Sequence, residues 1–359
     1  EGASVYMGGM ADHSDFQVQD YSKGKLSHRR KAEAFSSTQF ANEAVRFIQE
    51  RDSQKPFFLY VSFLAPHDPR NPPEAYRERY YNKRPPLPEN FLAEHPFKIL
   101  GHTIHGRDES LAPWPRTKEV VSDQLCEYYG LITQLDEQVG RILTALESSP
   151  YADNTVVIYT ADHGLAMGSH GLLGKQSIYE HSMTSPLIVS GPGIGKGESS
   201  AQTYIHDLYA TLCDLAKIET PAGVDALSLL PLIKGEKQSV HDSIFLPYQD
   251  NQRAISDGEW KLHIYPKVNH RLLFNINKDP GEMSNLAEDP EHQEKLQELE
   301  SLMEDWRKTL NDTTPLRVDK PASLKPTYKN ESRMLDVWQP KWIRDKYFGG
   351  RERSDHGKK

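Results

Sequence analysis

Thr155-Val156-Val157-Ile158-Tyr159-Thr160-Ala161-Asp162-His163-Gly164 is the stretch whose reading decides the fold. Its β-branched and aromatic run predicts a strand over Asn154 to Thr160. The run stops at a carboxylate and an imidazole, and Gly164 lets the backbone turn tightly there. In open α/β sheets, ligands bind beyond the carboxyl ends of strands. Asp162 and His163 are therefore candidate ligands for one cation. Oxygen donors suit Ca²⁺ or Mg²⁺, and the imidazole adds Zn²⁺ or Mn²⁺ to the set. A bare Asp-His-Gly is equally compatible with a capped turn carrying a surface histidine.

Outward from that stretch, other apolar runs punctuate the chain. Phe57-Phe58-Leu59-Tyr60-Val61-Ser62-Phe63-Leu64 reads as a strand buried on both faces, broken at Ala65-Pro66-His67-Asp68-Pro69. Ser185 to Ser190 reads as another, closed by Gly191-Pro192-Gly193. Helical spacing follows Ser36-Ser37-Thr38, covers Asp123 to Leu146, and returns from about His206 to Lys217. Strands alternating with helices predict an α/β domain with a largely parallel sheet flanked by helices over residues 1–236. Asp257-Gly258 between two short strands, a strand at Arg271–Ile276 and a polar helix over Pro290–Leu310 predict an α+β subdomain with an antiparallel sheet over 237–310. Residues 1–34 read as loop. Residues 70–118 read as a long irregular excursion facing substrate, and 311–359 as a basic extended tail with Trp338, Trp342, Tyr347 and Phe348 as anchors.

The balance of 37% hydrophobic and 26% charged residues is that of a globular chain, and no apolar run is long enough for a membrane helix. The net charge of −8 argues against non-specific nucleic-acid binding. The tail carries 12 Lys/Arg against 7 Asp/Glu, a net +5, which leaves −13 on residues 1–310. Cys126 and Cys213 form neither a disulfide framework nor a metal motif and read as buried thiols.

Three more side chains suit work on an anion. Lys175, after Gly168-Ser169-His170-Gly171-Leu172-Leu173-Gly174, can pair with an oxyanion as a point charge. His170 is bracketed by glycines that allow close backbone approach to a ligand, and is a candidate substrate contact. His67, at the end of the Phe57–Leu64 run, can donate to an anionic oxygen or act as a general acid. Each also has a plain reading, as a flexible glycine loop with an exposed lysine and as hydrogen-bonded turn histidines.

Taken in order, these pieces resemble the sulfatase family. The motifs that carry the resemblance run from Pro56-Phe57-Phe58-Leu59-Tyr60-Val61 and Ala65-Pro66-His67-Asp68-Pro69 through Thr160-Ala161-Asp162-His163-Gly164 and Gly171-Leu172-Leu173-Gly174-Lys175. They continue through Ser185-Pro186-Leu187-Ile188 to Asp257-Gly258-Glu259-Trp260-Lys261-Leu262, Asp279-Pro280-Gly281-Glu282 and Asn285-Leu286. The resemblance implies an alkaline-phosphatase-like α/β fold and hydrolysis of sulfate esters, with sulfated small molecules or glycans as substrates. It implies a divalent cation, usually Ca²⁺, held by Asp162 and His163. Lys175 would contact sulfate oxygens, and His67 the sulfate or the leaving group. A periplasmic or secreted location is the family's usual one. The family's nucleophile is a formylglycine made in a Cys/Ser-x-Pro/Ala-x-Arg motif, which follows neither cysteine nor any serine of this chain. The paired aspartates and the Gly-Lys-x-His motif of the family are absent too. All of these lie upstream of the first motif seen here, so the chain is expected to begin after them, to hold an N-terminally incomplete sheet, and to be inactive alone. Two rival expectations are a phosphate mono- or diesterase of the same superfamily and a non-catalytic protein that binds sulfated glycans.

Overall fold

Ser36–Glu50 forms a helix (α1) that buries Ala41, Ala44 and Ile48, as its apolar spacing predicts. In this computed structural model, which describes residues 2–3, 12–51, 55–97, 106, 108–325 and 341–349, α1 belongs to the first of two units that interleave in sequence. The first unit comprises Glu1–Pro88, Ser110–Thr155 and Lys329–Lys359, and the second Glu89–Glu109 and Val156–Tyr328. These units do not follow a 236/237 boundary, because residues on both sides of it belong to the second unit.

In the first unit, Glu74–Asn82 is a helix (α2) inside the stretch expected to be irregular. Lys118–Glu147 (α3) starts five residues before its predicted beginning, since the Thr117 side chain accepts from the Val120 amide and caps it. Both α1 and α2 pack on α3. Gly130 permits the approach of α2, as a Cβ there would lie 2.8 Å from the Pro72 ring. Cys126 is buried on α3.

Two expectations fail in this unit. Residues 1–34 are not all loop. Gly2–Ala3 (β1), Gln17–Ser22 (β2), Lys25–Leu26 (β3) and Arg30–Lys31 (β4) make an antiparallel sheet centred on β2, with Lys23 and Gly24 at positive φ in the β2–β3 turn. Residues 21–31 are all exposed, so no apolar alternation marked these strands in the sequence. The Phe57–Leu64 run is not buried on both faces. It makes no ladder among the described residues, and Phe58 and Tyr60 are 71% and 78% exposed. Phe57 packs edge-on against Phe47 and Tyr151, and Phe63 against Phe40. A continuous apolar run does not by itself distinguish one-sided from two-sided burial.

The tail returns to this unit as a helix at Lys341–Tyr347, burying Ile343 and Phe348. Lys346 Nζ lies 2.8 Å from the buried Asp123 carboxylate and 2.9 Å from Glu119 on α3, and Tyr347 donates to Asp123 as well. Here a tail cation is paired with α3 rather than turned outward. Trp338 lies outside the described residues.

In the second unit, Val157–Thr160 (β5) pairs with Leu187–Ser190 (β6) in antiparallel register, Thr160 opposite Leu187. The largely parallel sheet expected of this region is therefore corrected for this pair. Apolar pattern carries no strand direction, and the connection from β5 to β6 is long enough for either sense. Glu180–Met183 (α4) is a single turn in that connection, and Asp207–Ala216 (α5) follows β6. Cys213 on α5 is half-buried rather than buried. Ile244–Tyr248 (β7), Gln252–Ser256 (β8), Trp260–Tyr265 (β9) and His270–Asn275 (β10) form the expected antiparallel sheet, ordered β10-β9-β8-β7. Asp257-Gly258 closes β8 to β9, the Asp257 amide donating to the Trp260 carbonyl at 3.1 Å. Gln293–Thr309 (α6) covers one face, burying Leu296, Leu299 and Met303 against Phe245, Ile255, Leu262 and Leu273.

Leu273 is fully enclosed in this core. Leu273→Ala should cost about 2–5 kcal/mol, read as a lowered urea midpoint at unchanged m-value. A loss under 1 kcal/mol would mean that the sheet–helix layer is not packed as described.

Candidate functional site

Strand β5 ends at Thr160, and the next residues present Asp162 to solvent with its side chain 84% exposed. His163 Nδ1 lies 2.8 Å from the Gly164 carbonyl oxygen, which can only accept, so this nitrogen carries a hydrogen. Nε2 faces Asp162 Oδ2 at 3.5 Å. That is the tautomer a metal-bound histidine uses, its remote N–H fixed by a carbonyl. The two side chains thus offer one nitrogen and one carboxylate to a common point. Among the described residues no group of three His, Cys, Asp or Glu side chains could hold a metal. The pair offers two donor groups of the kind that hold a divalent cation. Gly164 cannot be replaced without moving this corner, as a Cβ would lie 2.2 Å from the His181 carbonyl oxygen.

The glycine-rich segment that follows is not a flexible cradle. The Ala166 amide donates to Gly174 at 2.9 Å and Gly168 to Leu172 at 2.7 Å, folding the segment on itself. Leu172 and Leu173 are buried. Gly171, at φ +74°, would bring a Cβ within 2.5 Å of the Glu94 backbone. Lys175 leaves this fold with Nζ 3.4 Å from Asp108 Oδ2.

His170 is placed inside the protein, not at a ligand-facing surface, which corrects its reading as a substrate contact. Its ring is 2% exposed, stacks on Tyr179 at 3.9 Å and 13°, and donates from Nε2 to the Glu282 carbonyl at 3.1 Å. The glycines around it serve tight folding of the loop.

Beneath the loop lies a polar interior that the sequence reading missed. Along β9, Leu262 and Ile264 join the core under α6, while Lys261, His263 and Tyr265 alternate onto the other face. Such alternation usually marks a solvated face, yet Lys261 and His263 are fully buried. Lys261 Nζ sits 2.6 Å from Glu180 and 3.2 Å from Glu282, and His263 Nε2 lies 3.0 Å from Glu282. Glu282 also accepts from the Glu180 amide at 2.6 Å. Burial alone would raise the Glu282 carboxyl, but Lys261, His263 and that amide outweigh it and hold it far below the usual carboxylate range. His95, bonded to the Tyr179 hydroxyl at 3.1 Å, and His181 are each lowered to about 3, burial being the main cause.

His67 belongs to the first unit. Its Nδ1 is 2.9 Å from the Asp68 carbonyl and 3.2 Å from the Asp68 carboxylate, which fixes the ring from that side. Buried His13, its pKa lowered mainly by desolvation, bonds the His67 carbonyl at 2.8 Å and the Ser36 hydroxyl at 2.8 Å. The turn carrying His67 is thereby tied to the start of α1.

The chain shares the alkaline-phosphatase-like α/β fold of solved sulfatase structures. The Sulfatase family matches residues 3–218, and the C-terminal part of N-sulphoglucosamine sulphohydrolase matches residues 168–309. The chain belongs to the sulfatase family. It is similar to an arylsulfatase of Clostridium perfringens, at 31% identity over 73% of this chain and 56% of that protein. It is similar to a Delta 4,5-hexuronate-2-O-sulfatase of Bacteroides thetaiotaomicron, at 28% identity over 80% of this chain and 64% of that one. The crystal structure of a phosphonate monoester hydrolase of Agrobacterium radiobacter matches with a TM-score of 0.66 at 26% identity, over 82% of this chain and 66% of that one. The chain thus spans less than two thirds of the length of these curated relatives.

The buried histidines predict an acid-sensitive second unit. Unfolding frees His95 and His181 to take protons near their ordinary value of 6.5, whereas in the fold they resist until about 3. Their contribution is complete above 6.5 and is lost as pH falls toward 3, and Glu282 acts in the same direction below its ordinary 4.5. The melting temperature should fall steadily from pH 6.5 to 4, with a shallower slope in His181→Asn. An unchanged slope in that variant would contradict the assignment.

Proposed function

We propose that the protein to which this chain belongs hydrolyses sulfate esters, with sulfated carbohydrates as the substrate class. The observation that carries this reading is the Asp162–His163 pair, exposed at the end of β5 with the histidine already in a ligating tautomer. The Delta 4,5-hexuronate-2-O-sulfatase among the relatives supports the substrate class.

Asp162 and His163 would hold the divalent cation, Ca²⁺ before Mg²⁺, Mn²⁺ or Zn²⁺. Cation and formylglycine, when present, supply charge neutralisation and the nucleophile. The rest falls to side chains of this chain. Lys175 offers an ammonium to the sulfate oxygens, where a fixed positive charge favours the transition state over the ground state. His67, oriented by Asp68, is the candidate proton donor to the departing oxygen. No Cys/Ser-x-Pro/Ala-x-Arg motif occurs in these 359 residues, and on this reading the chain alone should be inactive. The likeness to a phosphonate monoester hydrolase favours one second reading, hydrolysis of phosphate or phosphonate esters at the same site.

The test uses protein expressed from the complete coding sequence, with 4-nitrophenyl sulfate and 4-nitrophenyl phosphate as probes. Sulfate turnover should exceed phosphate turnover, and Lys175→Ala should cost about 10²–10³ in kcat. Faster phosphate turnover would move the assignment to the second reading. No turnover of either, with retention on a sulfated polysaccharide, would make the protein a glycan-binding relative.

A further inference from the structure

The excursion over residues 70–118, which has no counterpart among the motifs that define the resemblance, contains two buried carboxylates, Asp108 and Glu109, in contact with the Lys175 loop. We propose that Asp108 and Glu109 are positioning residues that set the Lys175 ammonium, a role that rests on the reading of Lys175 as the anion-binding cation.

Glu109 acts on the backbone. Its Oε1 accepts from the Leu173 amide at 2.9 Å and the Gly174 amide at 2.7 Å, the two peptide groups immediately before Lys175. A carboxylate accepting two consecutive N–H groups is a charge-assisted anchor, roughly twice as strong as a neutral one. Asp108 acts on the head group. Its Oδ2 lies 3.4 Å from Lys175 Nζ and accepts from Gln176 Nε2 at 3.1 Å. The chain can come this close because residue 174 is glycine. A Cβ there would stand 3.0 Å from the Asp108 Cβ, 3.2 Å from Glu109 Oε1 and 2.5 Å from Gln176 Oε1.

The lysine is therefore held at both ends, its main chain by Glu109 and its ammonium by Asp108. A lysine stem free in solution would lose rotamer freedom on binding, and a stem already held loses less. Isolated buried carboxylates are costly, and here a cation and backbone amides stand against the cost.

The test is a double-mutant cycle in protein from the complete coding sequence, read on 4-nitrophenyl sulfate turnover and on binding of inorganic sulfate. Asp108→Asn keeps the shape and removes the charge. It should lower kcat/KM and sulfate affinity by about 10- to 100-fold, and Asp108→Asn with Lys175→Ala should be no worse than Lys175→Ala alone. Glu109→Gln keeps an acceptor oxygen but loses the charge and should lose less than Glu109→Ala, which should lose as much as Asp108→Asn. Multiplicative losses in the double variant, or Asp108→Asn matching wild type, would overturn the proposal, as would equal losses in Glu109→Gln and Glu109→Ala. If Glu109→Ala does not fold, the Asp108–Lys175 cycle decides. Sulfate binding that follows the cycle without any ester turnover would uphold the positioning role and defeat the sulfatase reading.

Discussion

A carboxylate buried without water must find its partners in the protein, and Glu282 is the one around which the second unit is organised. Lys261 and His263 reach it from β9, the Glu180 amide from α4, and its own carbonyl receives His170 from the glycine loop. Taking one partner from such a buried set costs about 3–5 kcal/mol. The turn at Asp279–Glu282, the central strand and the loop before Lys175 are thus bound into one hydrogen-bonded body. Stacking of His170 on Tyr179 and the bond from Tyr179 to His95 extend that body on the same side of the sheet.

This organisation separates two uses of charge. Inside, Glu282, Lys261, Glu109 and Asp108 are matched with partners and hold backbone in place. At the surface, Asp162 keeps its carboxylate in solvent and His163 is fixed in a tautomer that leaves Nε2 toward it. Chemistry at an anion needs groups that are fixed in position while their charge remains available. The interior network supplies the fixing, and the strand end supplies the availability. A lysine on a mobile glycine loop would not meet that requirement, and the structure does not give Lys175 such a loop.

Much of this was legible in the sequence wherever a local signal had a physical cause. The β5 run ended where its apolar residues ended, Asp257-Gly258 turned β8 into β9, and α6 lies within the stretch read as a polar helix. Asp162, His163 and Lys175 drew the functional reading because a strand end and a glycine turn are local signals, and the structure places the first two just after β5 and the third on a folded loop. The antiparallel sense of β5 and β6 was not, since direction leaves no trace in composition. The exposed β2–β3 hairpin had no alternation to reveal it. His170 was misread because glycines that permit tight folding look the same as glycines that admit a ligand. Lys261, His263 and Glu282 lie far apart in sequence, and only the fold makes them neighbours. Asp108 and Glu109 stood in a stretch without periodicity, where nothing local distinguishes a buried anchor from a solvated acid.

In the proposed site Asp162 and His163 would be ligands of a divalent cation. Calorimetric titration of Ca²⁺ into metal-free protein from the complete coding sequence tests it most directly. One saturable site, lost in Asp162→Asn and kept in Lys175→Ala, is the predicted result. Equal Ca²⁺ affinity in Asp162→Asn and wild type would contradict it.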